Sequence, residues 1–135
     1  MHEMRAGTNG FTCMIIVPDP LGGPVCGDAA ATAWFNAMLT RQSGPPASGA
    51  PGIAYMARGG FHYEDAKGAI HMAHSPAAGT RRVTEPPHWM MMYAFDPAAT
   101  GLPVKARPAG SYIMFAGTPW AHLMIYQNPN RLSAR

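Results

Sequence analysis

Apolar and polar positions along this chain fall into short blocks, and only one block repeats at helical spacing. Trp34, Phe35, Met38 and Leu39 recur on one side of an alanine-rich run, which predicts an amphipathic helix over residues 29–41. Asp28 stands where an N-cap belongs, since a carboxylate there can accept the first unpaired helical N–H groups. The remaining apolar blocks are short and bounded by Gly and Pro, the pattern of strands. They cover residues 11–17, 53–58, 86–95 and 111–126. Asn9-Gly10 has the chemistry of a tight hairpin turn ahead of the first block.

Residues 42–52 and 96–110 are Pro/Gly-rich and read as loops, and residues 1–4 and 128–135 read as loose termini. Residues 61–85 show little hydrophobic period, so they are expected to form a long, structure-poor loop, either functional or mobile. The expectation is a single domain over 1–135 of mostly-β or α+β class. It would be a small antiparallel sheet or sandwich of about four to six strands, with one packed helix over about 28–41 and a disulfide.

Composition narrows the picture. Charged residues are only 13% of the chain, while 15 Gly and 14 Pro mark many turns. A disordered chain would carry more charge and fewer aromatics. The net charge of +3 comes from scattered Lys and Arg, with Arg81-Arg82 the tightest cluster. Nucleic-acid binding needs a basic stripe with interleaved aromatics, and none is present. No run of 18 apolar residues exists, so no membrane span is expected. Cys13 and Cys26 flank a turn-rich segment, and an even count in such a chain favours a disulfide over two buried thiols. A secreted or periplasmic location follows from that reading, with any signal peptide already absent from the sequence.

The stretch Arg5-Ala6-Gly7-Thr8-Asn9-Gly10-Phe11-Thr12-Cys13 resembles the opening of an uncharacterised family of small secreted bacterial proteins. The resemblance continues through Cys26-Gly27-Asp28, Tyr55-Met56 before Gly59-Gly60, and Pro86-Pro87-His88-Trp89-Met90. It ends at Gly117-Thr118-Pro119-Trp120-Ala121-His122-Leu123-Met124. It implies export with a cleaved signal, which fits the disulfide, and it implies no particular activity. The chain departs from the family pattern after Gly59-Gly60, where Phe61-His62-Tyr63-Glu64-Asp65 replaces a Ser/Asp/Asn-rich stretch.

The candidate chemistry lies in two His-x-Met triplets, His88-Trp89-Met90 and His122-Leu123-Met124, each just after a proline turn. On strands, residues two apart share a face, so each imidazole would share a face with its thioether. Together with 11 methionines in all, this suggests a soft metal site of His88, Met90, His122 and Met124, with copper, especially Cu(I), as the cofactor. The competing reading is that Met fills the core and each His bonds a backbone carbonyl.

His62, His71 and His74, with Glu64, form a weaker candidate for a harder metal. An enzyme or binding module for a small molecule or carbohydrate is the alternative, with His88 or His122 as general base. Thr8, Asn9, Tyr55, Glu85 and Trp120 would then line its pocket, with Asp28 a further polar candidate. In a third reading, exposed Trp120, Tyr112 and Tyr126 form an aromatic face for a carbohydrate or protein partner, without metal.

Overall fold

The computed structural model describes residues 4–16, 23–47, 50–72, 76–92, 94–108 and 110–131. Residues 17–22 of the turn-rich segment between the cysteines, the ends of both termini and His74 lie outside them. The architecture is mostly β, with ten strands among the described residues arranged as two antiparallel sheets.

The larger sheet begins with β1 (Met4–Ala6), β2 (Thr12–Met14) and β3 (Val25–Gly27). It continues through β4 (Gly52–Met56), β8 (His88–Met92), β10 (His122–Tyr126) and β9 (Gly110–Met114), in the order β1-β2-β3-β4-β8-β10-β9. The smaller sheet holds β5 (Gly60–Asp65), β6 (Ile70–His71) and β7 (Thr80–Glu85), with β5 in the middle. A short helix α2 (Pro97–Thr100) interrupts the loop before β9.

The expected helix is α1 (Ala29–Leu39), lying across β3, β4 and β8. The Asp28 carboxylate performs two tasks. Its Oδ1 accepts the Ala31 N–H at 2.8 Å as an N-cap, and its Oδ2 accepts the Ile53 N–H at 3.0 Å. One side chain thus starts the helix and ties it to β4. Close approach requires Gly52, because a Cβ there would run into the backbone of Ala30 and Ala31. Trp34, Phe35 and Ala37 point into the core beside Met14, Val25, Ala54, Met90 and Met124.

Cys13 and Cys26 form the disulfide, and they face each other directly across the β2–β3 ladder. The bridge pins the register of two three-residue strands that could bury little by themselves. In the chain-entropy account a loop of this size is worth about 3 kcal/mol.

One expectation is overturned. Residues 61–85 are not a structure-poor loop: β5 pairs with β7 over six residues, from Gly60↔Glu85 to Asp65↔Thr80. The strand signal was hidden because the buried side chains of β5 include His62 and Glu64, and β7 buries Glu85. An inward face made of charge rather than hydrocarbon removes the alternation by which strands are recognised. The C-terminal segment is anchored as far as Asn130, whose Nδ2 donates to the Ala57 carbonyl at 2.7 Å.

Two outcomes follow from this packing. Gly52→Ala should lower the unfolding free energy by about 3 kcal/mol, read from urea midpoints, because the helix cannot retreat without breaking both Asp28 bonds; an unchanged midpoint would refute the close contact. Thiol alkylation under denaturing conditions should modify neither cysteine until reductant is added.

Candidate functional site

The central four strands of the larger sheet set the site. Met90 faces both Ala54 and Met124, His122 faces Met114, and Met56 faces His88. Alternation then puts Met56, His88, Met90, Met114, His122 and Met124 on one face, with Tyr55, Trp89, Met91 and Leu123 on the other. All six of the first group line a cavity of about 350 Å³. Its walls include Trp34, Phe35 and Met38 of α1, together with Phe61, Phe115 and Trp120. Exposed Arg41, Gln42, His71 and Met72 stand at its edge.

All four residues of the His-x-Met triplets therefore line one cavity, with Met90 directly opposite Met124. The antiparallel register nevertheless separates the imidazoles. His88 lies two residues from Met90 in one direction, and His122 two residues from Met124 in the other. Four residue steps and one strand spacing place their Cα atoms about 14 Å apart.

The two imidazoles are held alike. His88 Nδ1–H donates to the Pro86 carbonyl at 2.6 Å, and His122 Nδ1–H donates to the Trp120 carbonyl at 2.9 Å. Each carbonyl belongs to the residue two before its histidine. This fixes the tautomer and leaves Nε2 as the free nitrogen. His122 also packs edge-on against Trp34 and Phe115. Burial holds its pKa down at about 4, from an ordinary 6.5.

At the other end of the cavity stands a buried charge network. His62 Nδ1–H donates to Glu85 Oε1 at 2.6 Å, and His62 Nε2–H donates to Glu64 Oε1 at 2.8 Å. All three side chains are less than a tenth exposed. Burial opposes the charge on His62, but its hydrogen bonds to Glu85 and Glu64, and their charges, outweigh that and raise its pKa above 6.5. Arg81 reaches Glu64 Oε2 from solvent at 3.2 Å. The second oxygen of Glu85 faces His88 Nε2 at 3.7 Å, beyond hydrogen-bond reach, and that buried nitrogen has no partner among the described residues.

The other expected site residues divide. Glu85, Trp120, His62 and His71 line the cavity. Tyr55 does not: it sits on the opposite face, edge-on to Trp89 and tilted against Phe11. Thr8 and Asn9 are exposed in the β1–β2 turn, where Asn9 Oδ1 accepts the Phe11 N–H. Asp28 is occupied as the helix cap.

The exposed aromatic face is likewise corrected. Trp120 is buried edge-on against Trp34, Tyr112 is fully buried, and the Tyr112 and Tyr126 hydroxyls bond each other at 2.8 Å. Alternation turns Tyr112 and Tyr126 to the helix-covered face of the sheet. Both nitrogens of His62 are engaged by carboxylates, and His71 pairs with Asp65 at 3.1 Å. Among the described residues no three His, Cys, Asp or Glu side chains form a group able to hold a metal ion. Sequence reasoning passed over Met56, Met114 and the His62–Glu85 bond; the His62-x-Glu64 spacing was a visible signal only if that segment was a strand.

Comparison with protein-family models, with curated proteins and with solved structures finds no match to this chain.

The buried imidazoles give stability a pH dependence with a worked sign. His122 stays neutral in the folded protein down to about pH 4, whereas the unfolded chain takes up a proton near 6.5. Stability should therefore fall as pH drops from 6.5 to 4, by about 3 kcal/mol from this residue. His62 acts oppositely: its contribution is complete below 6.5 and disappears as pH rises through its higher folded value. His122→Leu should make the acid-side slope of the urea midpoint shallower, and an unaltered slope would show that His122 is not buried in this way.

Proposed function

We propose that the cavity binds a small, largely apolar molecule, with the Nε2 atoms of His88 and His122 as hydrogen-bond acceptors. One observation carries this reading: two imidazoles, each locked by a backbone carbonyl with Nε2 left free, line one cavity whose wall is mainly thioethers and aromatic rings, with Glu85 and His62 at one end. Such a volume suits a ligand of modest size, and a few fixed polar groups in an apolar wall are how small-molecule sites obtain orientation. Two further features support it. Phe115, a non-glycine residue held in left-handed backbone outside any helix end, lines the cavity, and strained backbone is concentrated at functional sites. Flexible methionines allow the wall to adapt to its occupant.

A second reading, Cu(I) binding, is favoured by a separate feature of the register. His122 has Met114 directly across from it, and Met124 two residues along its own strand. That is one imidazole with two thioethers, a soft donor set suited to Cu(I). The site would lie at the His122 end, apart from His88. The disulfide favours an oxidising compartment for either role, so we propose export, in line with the resemblance to small secreted bacterial proteins. Among the described residues no helix is long and apolar enough to cross a membrane.

For the first reading, 2-phenylethanol should bind saturably in calorimetry at one site per chain. Met124→Trp, which fills the cavity, should weaken it by about tenfold or more, and binding that ignores the substitution would refute the site. For the second, Cu(I) titration against a chelator should show stoichiometric uptake that His122→Ala largely removes. Undiminished uptake by that variant would reject the copper site.

A further inference from the structure

Resting on the first reading, we propose that the molecule taken up by the cavity is a primary amine with an apolar body, its ammonium group held between Glu85 and His88. The unpaired carboxylate and imidazole atoms of the lining, Glu85 Oε2 and the Nε2 atoms of His88 and His122, are acceptors. Glu85 Oε2 and His88 Nε2 face each other 3.7 Å apart, and His88 is fully buried with that nitrogen unpartnered among the described residues. Two acceptors turned toward each other leave a gap that only a donor can satisfy, and an orphaned buried acceptor is costly. The Met56 thioether adds a weaker acceptor: it faces His88 across the β4–β8 ladder, and its sulfur and Glu85 Oε2 border the same space beside Gly60. An ammonium carries three donors, matching these three positions.

Charge points the same way. Glu64 and Glu85 are both buried, and the His62 imidazolium between them balances one. Arg81 meets the remaining negative charge from outside, through a side chain that is 76% exposed and therefore well screened. A cation in the gap would meet the uncompensated charge where solvent cannot, and a buried charge is tolerated when paired and hydrogen-bonded. The aromatic walls also attract cations through their ring faces. The donors Arg41 and Gln42 just past α1 are exposed, so their charge and hydrogen bonds are satisfied by solvent.

The test compares three ligands of similar shape on the full chain at neutral pH: 2-phenylethylamine, 2-phenylethanol and 3-phenylpropanoate. The amine should bind about tenfold or more tighter than the alcohol, and the carboxylate more weakly than either. Glu85→Gln should remove that preference, bringing the amine's affinity to within about threefold of the alcohol's. The comparison on the unsubstituted protein stands even if this variant fails to fold. Alcohol binding with no advantage for the amine would overturn the amine proposal and leave the cavity reading intact. Tighter binding of the carboxylate would also overturn it. Failure of all three to bind would overturn both.

Discussion

The site depends on one constraint, the period-two alternation of side chains across four antiparallel strands in fixed register. Because Met90 lies opposite Met124 and His122 opposite Met114, the thioethers and imidazoles of β4, β8, β9 and β10 must share a face. A slip of one residue on any of them would turn its set to the other side. Asp28 and Gly52 fix the helix over that face, and the Cys13–Cys26 bridge holds the short strands at the sheet's edge. The cavity is what remains between α1, the smaller sheet and this shared face.

The smaller sheet contributes charge rather than hydrocarbon. His62 joins Glu64 on its own strand to Glu85 at the end of the neighbouring one, and three residues later the chain starts β8 with His88. The turn through Pro86 and Pro87 therefore connects the charge network to the sheet that lines the cavity. The Pro86 carbonyl in that turn also orients His88. Local chain geometry thus decides both where the imidazole stands and which of its nitrogens is left to meet a ligand. His122 repeats the arrangement with the Trp120 carbonyl, in an apolar rather than a charged surrounding.

Much of the fold was legible in the chain because it rests on local rules. Asp28 and the apolar spacing of Trp34, Phe35 and Met38 mark the helix, and proline-bounded apolar runs mark β8, β9 and β10. The shared face of each His-x-Met pair follows from alternation alone. The smaller sheet was not legible, since His62, Glu64 and Glu85 occupy inward positions and the His62–Glu85 bond joins residues 23 apart in the chain. The diagonal separation of His88 and His122 was hidden for a related reason: it is a property of strand direction and register. The aromatic residues misled because a ring's type says nothing of its face, and Tyr112 and Trp120 turned inward.

The central claim is that Glu85 Oε2 and the Nε2 atoms of His88 and His122 stand as unpaired acceptors in the cavity, with His62 as the charged bridge behind Glu85. Nitrogen-resolved NMR of protein labelled in its histidine rings tests this most directly, at neutral pH and without ligand. The account predicts that His88 and His122 carry their proton on Nδ1 and present an unprotonated Nε2, while both nitrogens of His62 are protonated. A proton on His88 Nε2, or a neutral His62, would contradict it.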